Sequence, residues 1–129
     1  MAEARMRSPL GRAIGLGSAK EGVDHWWLQR LTAIALVPLT LWFVAAVIGL
    51  AGADLETLID WVSEPVSAVL LILLLIATFY HSALGLQVVI EDYVGNEAAR
   101  LTLLIVMKLA SVVLAALAIF AVLKLALAG

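Results

Sequence analysis

Residues Pro65–Ile90 read PVSAVLLILLLIATFYHSALGLQVVI, 26 residues without a charge and with one imidazole, His81, set among aliphatic side chains. An α-helix needs about 20 residues to cross about 30 Å of hydrocarbon, so this run is long enough to span a bilayer. Outward from it lie a second charge-free run of 23 residues, Leu31–Ala53, and a third of equal length, Leu101–Leu123, interrupted only by Lys108. Lipid offers no partner to backbone amides, so all three runs must be helices that pair their own N–H and C=O groups. The expected fold is an all-α membrane protein with three transmembrane helices at about 28–51, 66–90 and 100–126, within a unit covering 25–129 that follows an N-terminal tail at 1–24.

Composition agrees. Of 129 residues, 64% are hydrophobic and 14% charged, the formal net charge is -2, and the mean hydropathy is +1.11. Soluble domains run to about 45–50% apolar and about 25% charged, which excludes an ordinary water-soluble globule. The chain has no cysteine, so it holds no thiolate-bound iron–sulfur cluster, no disulfide and no thioether-attached haem of its own. Mild acidity argues against nucleic acid as a partner, which calls for a basic stripe.

Basic residues are retained on the cytoplasmic side of a membrane. Arg5, Arg7, Arg12, Lys20 and Arg30 precede or open the first span, whereas the 52–64 connection carries only Asp54, Glu56, Asp60 and Glu64. The N-terminus is therefore expected in the cytoplasm, with the 52–64 loop and the C-terminus in the periplasm and the 91–100 loop back inside. Trp26 and Trp27 mark the inner interface and Trp61 the outer one. Pro65 suits the first turn of the second helix, and Pro38 predicts a kink in the first. The glycine-rich tail has no apolar stretch of the kind found in a secretory leader and is expected to stay in the mature chain, as a solvated extension or a docking segment for a soluble partner.

Three helices of this length enclose little interior, which favours one subunit of a larger assembly over a self-contained transporter or enzyme. Polar residues at membrane depth are costly and point to function. His81 lies on the order of 14 Å inside the inner end of its helix, at about 1.5 Å per residue. At about 100° per residue, Ala77 and Gly85 flank it and Thr78 lies nearby, giving a face that reads Ala-Thr-His-Gly. Small neighbours leave room for a flat macrocycle ligated by the imidazole; they equally suit a histidine hydrogen-bonded between closely packed helices. No second histidine lies at depth, because His25 falls in the interfacial segment, so a six-coordinate haem needs its other ligand from a second chain. At the inner end of the same helix, Gln87 is followed by Glu91, Asp92 and Tyr93. Asp92 lies about 20° round the helix from His81 and about 16–17 Å along it, so both can face one cleft. Arg30 and Lys108 can snorkel to the interface or pair with an anionic group.

The stretch from Gly22 to Ile34, GVDHWWLQRLTAI, and the stretch from His81 to Val94, HSALGLQVVIEDYV, resemble the hydrophobic membrane-anchor subunit of bacterial succinate dehydrogenase. The resemblance rests on a histidine, a glycine four residues on, and Asp-Tyr eleven and twelve residues on, all within the second of three spans. It covers the chain from about Gly22 onward. It implies a bacterial inner-membrane complex in which a flavoprotein subunit and an iron–sulfur subunit oxidise succinate and pass electrons to ubiquinone. The anchor would be paired with a cytochrome b556-type anchor subunit. By position the resemblance makes His81 an axial ligand to the iron of a haem b shared with that subunit. Tyr93 becomes a donor to a quinone carbonyl, Asp92 its support, and Arg30 a neighbour of the haem propionates or the quinone. Related bacterial sequences read His-Asp after Gly-Val where this chain has Asp24-His25. A fumarate reductase anchor, or a non-redox membrane subunit with a structural histidine, are the competing readings.

Overall fold

The computed structural model describes residues 17–128, with side chains from Gly22 onward. They form four helices: α1 (Gly17–Gly49), α2 (Leu55–Ser63), α3 (Pro65–Tyr93) and α4 (Glu97–Ala128), and no strand occurs among the described residues. The stretches long and apolar enough to cross a membrane are Gly22–Gly49, Pro65–Tyr93 and Glu97–Ala128, of 28, 29 and 32 residues. The all-helical, three-span architecture read from the charge-free runs is thus the one observed. At 1.5 Å per residue these helices are about 42–48 Å long, so their ends emerge from the hydrocarbon and carry polar residues into the headgroup layer.

α1 begins well ahead of the apolar run, because polarity marks where the membrane ends and not where the helix does. Asp24, His25, Gln29 and Arg30 all lie on it. Pro38 sits inside α1 without ending it. Residues 1–16 of the tail, with Arg5, Arg7 and Arg12, lie outside the described residues, as does the side chain of Lys20.

The 52–64 connection, read from sequence only as a loop, holds α2. Gly52, at φ +80, makes the turn out of α1, a conformation that side-chain-bearing residues seldom adopt. Asp54 then caps α2 by accepting from the Thr57 N–H at 2.9 Å. Leu55, Leu58, Ile59 and Val62 recur at helical spacing opposite Glu56 and Asp60, making α2 amphipathic. Trp61 stacks on Trp42 of α1 with ring centroids 5.7 Å apart, and the Ser63 hydroxyl donates to the Leu125 carbonyl of α4 at 3.0 Å. α2 therefore packs against the bundle at the end where α1 gives way to α3. Hydrogen bonds from Thr57, first from its side chain and then from its backbone N–H, hold the Asp54 carboxyl below the usual aspartate range.

α3 is the middle helix, packed against α1 on one side and α4 on the other. The buried residues all belong to it: Ser67, Ala68, Leu71, Ala77 and Leu84. Three of these are small, which lets backbones approach closely where lipid supplies no hydrophobic drive for association. Among the described residues no large side chain is fully buried. The bundle is a thin layer around α3, and most of its apolar surface is left to lipid or to other chains. A three-residue link, Val94–Asn96, joins α3 to α4, and the Asn96 side chain accepts from the Ala99 N–H at 3.1 Å to start α4.

Candidate functional site

His81 is half-buried between α1 and α3, and its partner comes from the other helix. Thr32 Oγ1 lies 2.9 Å from His81 Nδ1. The same oxygen lies 2.7 Å from the Leu28 carbonyl and 3.1 Å from the Gln29 carbonyl, and a carbonyl can only accept. A hydroxyl has one proton. The tautomer sets which way the bond to the ring runs: with the hydroxyl proton on the Leu28 carbonyl, the nearer acceptor, Thr32 meets the imidazole as an acceptor and Nδ1 carries a hydrogen. In the neutral ring the lone pair is then on Nε2, which has no hydrogen-bond partner among the described residues.

The surroundings leave space. A Cβ added at Gly85 would meet nothing within 4 Å. Between α1 and α3 runs an apolar groove of about 330 Å³, lined by Leu31, Thr32, Ala35 and Leu39 on one side and by Leu73, Ile76, Ala77 and Tyr80 on the other. The face expected to read Ala-Thr-His-Gly is divided: Ala77 is buried and Gly85 half-buried, while Thr78 is exposed. The hydroxyl that serves His81 is that of Thr32. Sequence reading noted Thr32 only within the motif opening the first span; a hydroxyl at membrane depth on a neighbouring helix was the available signal.

Where α3 ends, Gln87 donates to Glu91 at 3.0 Å. Asp92 and Tyr93 follow, both exposed, Tyr93 to 84%, and neither has a hydrogen-bond partner among the described residues. Two carboxylates in the last turn of a helix with no basic residue there oppose the negative end of the helix dipole. Nothing within the fold explains that cost. Arg30 does not reach Asp92; its guanidinium lies over the Trp26 ring, 5.0 Å from the centroid, and Trp26 meets Trp27 edge-on at 5.0 Å. Gln29 Oε1, also missed from sequence, is a buried acceptor without a partner among the described residues. Lys108 faces the other side of α3. With Gln87 and Ser111 it lines a second groove, between α3 and α4, of about 450 Å³.

Fold and site together define a small three-span membrane protein, with a half-buried histidine bonded across its first two spans and exposed polar groups at one end of its middle helix. A family model described as the succinate dehydrogenase/fumarate reductase transmembrane subunit matches residues 4–123, and the chain belongs to that family. Its relatives include the succinate dehydrogenase hydrophobic membrane anchor subunit of Rickettsia bellii, 40% identical over 82% of this chain and 85% of the relative. The protein of the same name from Rickettsia conorii is 33% identical over 83% of this chain and 86% of that one. The Paracoccus denitrificans protein is 35% identical over 69% of each chain. With its three spans, the chain is a multi-pass inner-membrane anchor subunit of the succinate dehydrogenase type.

Proposed function

We propose that this chain forms one half of a haem- and quinone-binding anchor, with its N-terminus cytoplasmic and its C-terminus periplasmic. His81 would supply one axial ligand to a haem b through Nε2, and a cytochrome b556-type anchor subunit would supply the other. Tyr93 and Asp92 would form this chain's part of a ubiquinone site, beneath a docked iron–sulfur subunit that carries the flavoprotein subunit. The observation that carries the reading is the free Nε2 of a membrane-depth histidine whose other nitrogen is already committed to Thr32.

The residues present suit the group on three counts. The imidazole offers a lone pair on one defined nitrogen. Gly85 has open space where a side chain would stand. The groove beside Thr32 is apolar and lies against the helix that carries His81. A bound haem supplies a one-electron carrier within the membrane. This chain's residues bind and orient: His81 fixes the iron's position along α3, and small residues keep the helices close.

Quinone reduction takes two electrons and two protons, so its site wants a donor on the carbonyl and a group that exchanges protons with water. The Tyr93 phenol has no hydrogen-bond partner among the described residues and its ring is exposed, which supports a role as a donor to a headgroup. Asp92, adjacent and equally exposed, would orient that donor or pass protons to it. Arg30, freed from any carboxylate and held over Trp26, would meet the headgroup or a haem propionate from α1.

Replacing His81 by alanine in the complex of all subunits removes a strong-field ligand. The expected result is loss or change of the low-spin ferric signal in electron paramagnetic resonance, with the other subunits still bound. An unchanged low-spin signal in a fully assembled His81→Ala complex would falsify direct ligation.

A further inference from the structure

We infer that Thr32 is a positioning residue for the haem ligand: its hydroxyl oxygen holds His81 in the Nδ1–H form, fixes the ring's plane, and lowers the reduction potential of the bound iron. The inference rests on the proposal that His81 ligates haem, and it assigns to α1 a function that the ligand's own helix does not supply.

The geometry carries it. Thr32 Oγ1 is 2.9 Å from His81 Nδ1 and 2.7 Å from the Leu28 carbonyl, so the three groups form a directed chain in which the imidazole donates to the hydroxyl and the hydroxyl donates to the backbone. This order follows when the hydroxyl proton points to Leu28 O, which lies nearer to Oγ1 than Nδ1 does, since a carbonyl cannot donate and a hydroxyl has one proton. Reversing the first bond would require the hydroxyl proton to leave Leu28 O, its nearest acceptor at 2.7 Å. The acceptor is also firmly placed, because Thr32 sits within α1 with its β-branched side chain restricted by the preceding turn.

A ligating histidine whose second ring nitrogen donates a hydrogen bond is oriented by that bond and made a stronger donor toward the metal. Greater electron donation favours the ferric state over the ferrous one, which lowers the potential. Loss of the acceptor should therefore raise the potential. It should also let the ring rotate, broadening the low-spin signal.

The test uses the complete membrane complex with Thr32→Val, Thr32→Ala and Thr32→Ser. Valine keeps the shape and removes the acceptor. Alanine removes it without adding a methyl and carries the test if the valine variant assembles poorly. Serine keeps the hydroxyl. Redox titration of the haem and electron paramagnetic resonance of its ferric form are the readouts. The expected result is an upward shift in both Thr32→Val and Thr32→Ala, toward a tenfold change in the reduction equilibrium, which is about 59 mV for a one-electron couple. A broadened low-spin signal should accompany it, with parental values restored in Thr32→Ser. A parental potential and signal in Thr32→Val or Thr32→Ala, or a serine variant that shifts as they do, overturns the inference. The His81→Ala complex separates the two claims. If it changes the low-spin signal while the Thr32 variants stay parental, only the role of Thr32 falls; if it leaves the signal unchanged, both fall.

Discussion

Tyr93→Phe isolates the proposed quinone chemistry from folding. The ring is 84% exposed and the phenol has no hydrogen-bond partner among the described residues, so removing one oxygen breaks nothing inside the chain. Tyr93 is also the last residue of α3, beyond the packed part of the helix. Any effect must then arise from a group outside this chain. If that group is a quinone carbonyl gaining negative charge as it is reduced, the lost donor is worth about 2–3 kcal/mol in the transition state, within the range for hydrogen bonds to charged groups. At 1.36 kcal/mol per factor of ten, quinone turnover falls about 30–150-fold. The assay is succinate-driven quinone reduction at limiting quinone in the purified complex. Succinate oxidation with an artificial acceptor and the haem content serve as controls, and both should stay near parental. Parental quinone turnover in Tyr93→Phe would make the tyrosine an interfacial anchor and move the donor to another subunit.

Two further outcomes follow from the same geometry. A periplasm-dependent phosphatase fused after Ala53 should be active, and one fused after Asn96 nearly inactive, because Arg30 and the basic residues before it lie at the opposite end of α1 from the acidic 52–64 segment; the reverse pattern refutes the orientation. Asp54→Ala removes the acceptor that holds the Thr57 N–H at 2.9 Å, so hydrogen exchange at Thr57 should accelerate, while Asp54→Asn keeps much of the protection. The carboxyl is held below its usual range by Thr57, so its cap is fully present at neutral pH and is lost as pH falls through the lowered folded value. Exchange at Thr57 that ignores both the substitution and acidification would show that Asp54 does not hold the start of α2.

How much of this was legible in sequence differs from element to element. The three spans were, because a run such as Pro65–Ile90 has no structural option in lipid other than a helix. Residues at the helix ends were not: Asp24 and Gln29 broke the apolar run without breaking α1, since headgroups and water tolerate polar side chains on a helix that has left the hydrocarbon. α2 was missed because nine residues are too few for a periodicity signal to separate from a loop, although Asp54 followed by Thr57 was a readable cap. His81 was picked out by its depth, by its small neighbours and by the spacing to Gly85, Asp92 and Tyr93. Thr32 was not, because its role depends on the rotation of α1 against α3, a pairwise packing property that no single helix encodes. Thr78, closer in sequence to His81, looked the better neighbour and is exposed. Arg30, read as an interface charge or a neighbour of an anionic group, lies over Trp26, a contact that the sequence reading did not name.

The layout of α3 also explains why such a protein works as one half of something larger. His81 and Tyr93 are twelve residues apart, about 18 Å along the helix; Tyr93 is exposed, and His81 is half-buried against α1. Near Tyr93, Glu91 and Asp92 crowd the negative end of the helix dipole with no basic residue in the last turn. Near His81, Gly85 faces open space and Nε2 has no partner among the described residues. Gln29 Oε1 adds a buried acceptor without a donor among those residues. Each of these is a local cost in the isolated chain, and each is relieved by a donor, a cation or a flat apolar group brought from outside. A chain selected for its own stability would have filled the space at Gly85 and placed a lysine in that last turn. Leaving both undone makes sense where a second subunit and its bound groups complete the site.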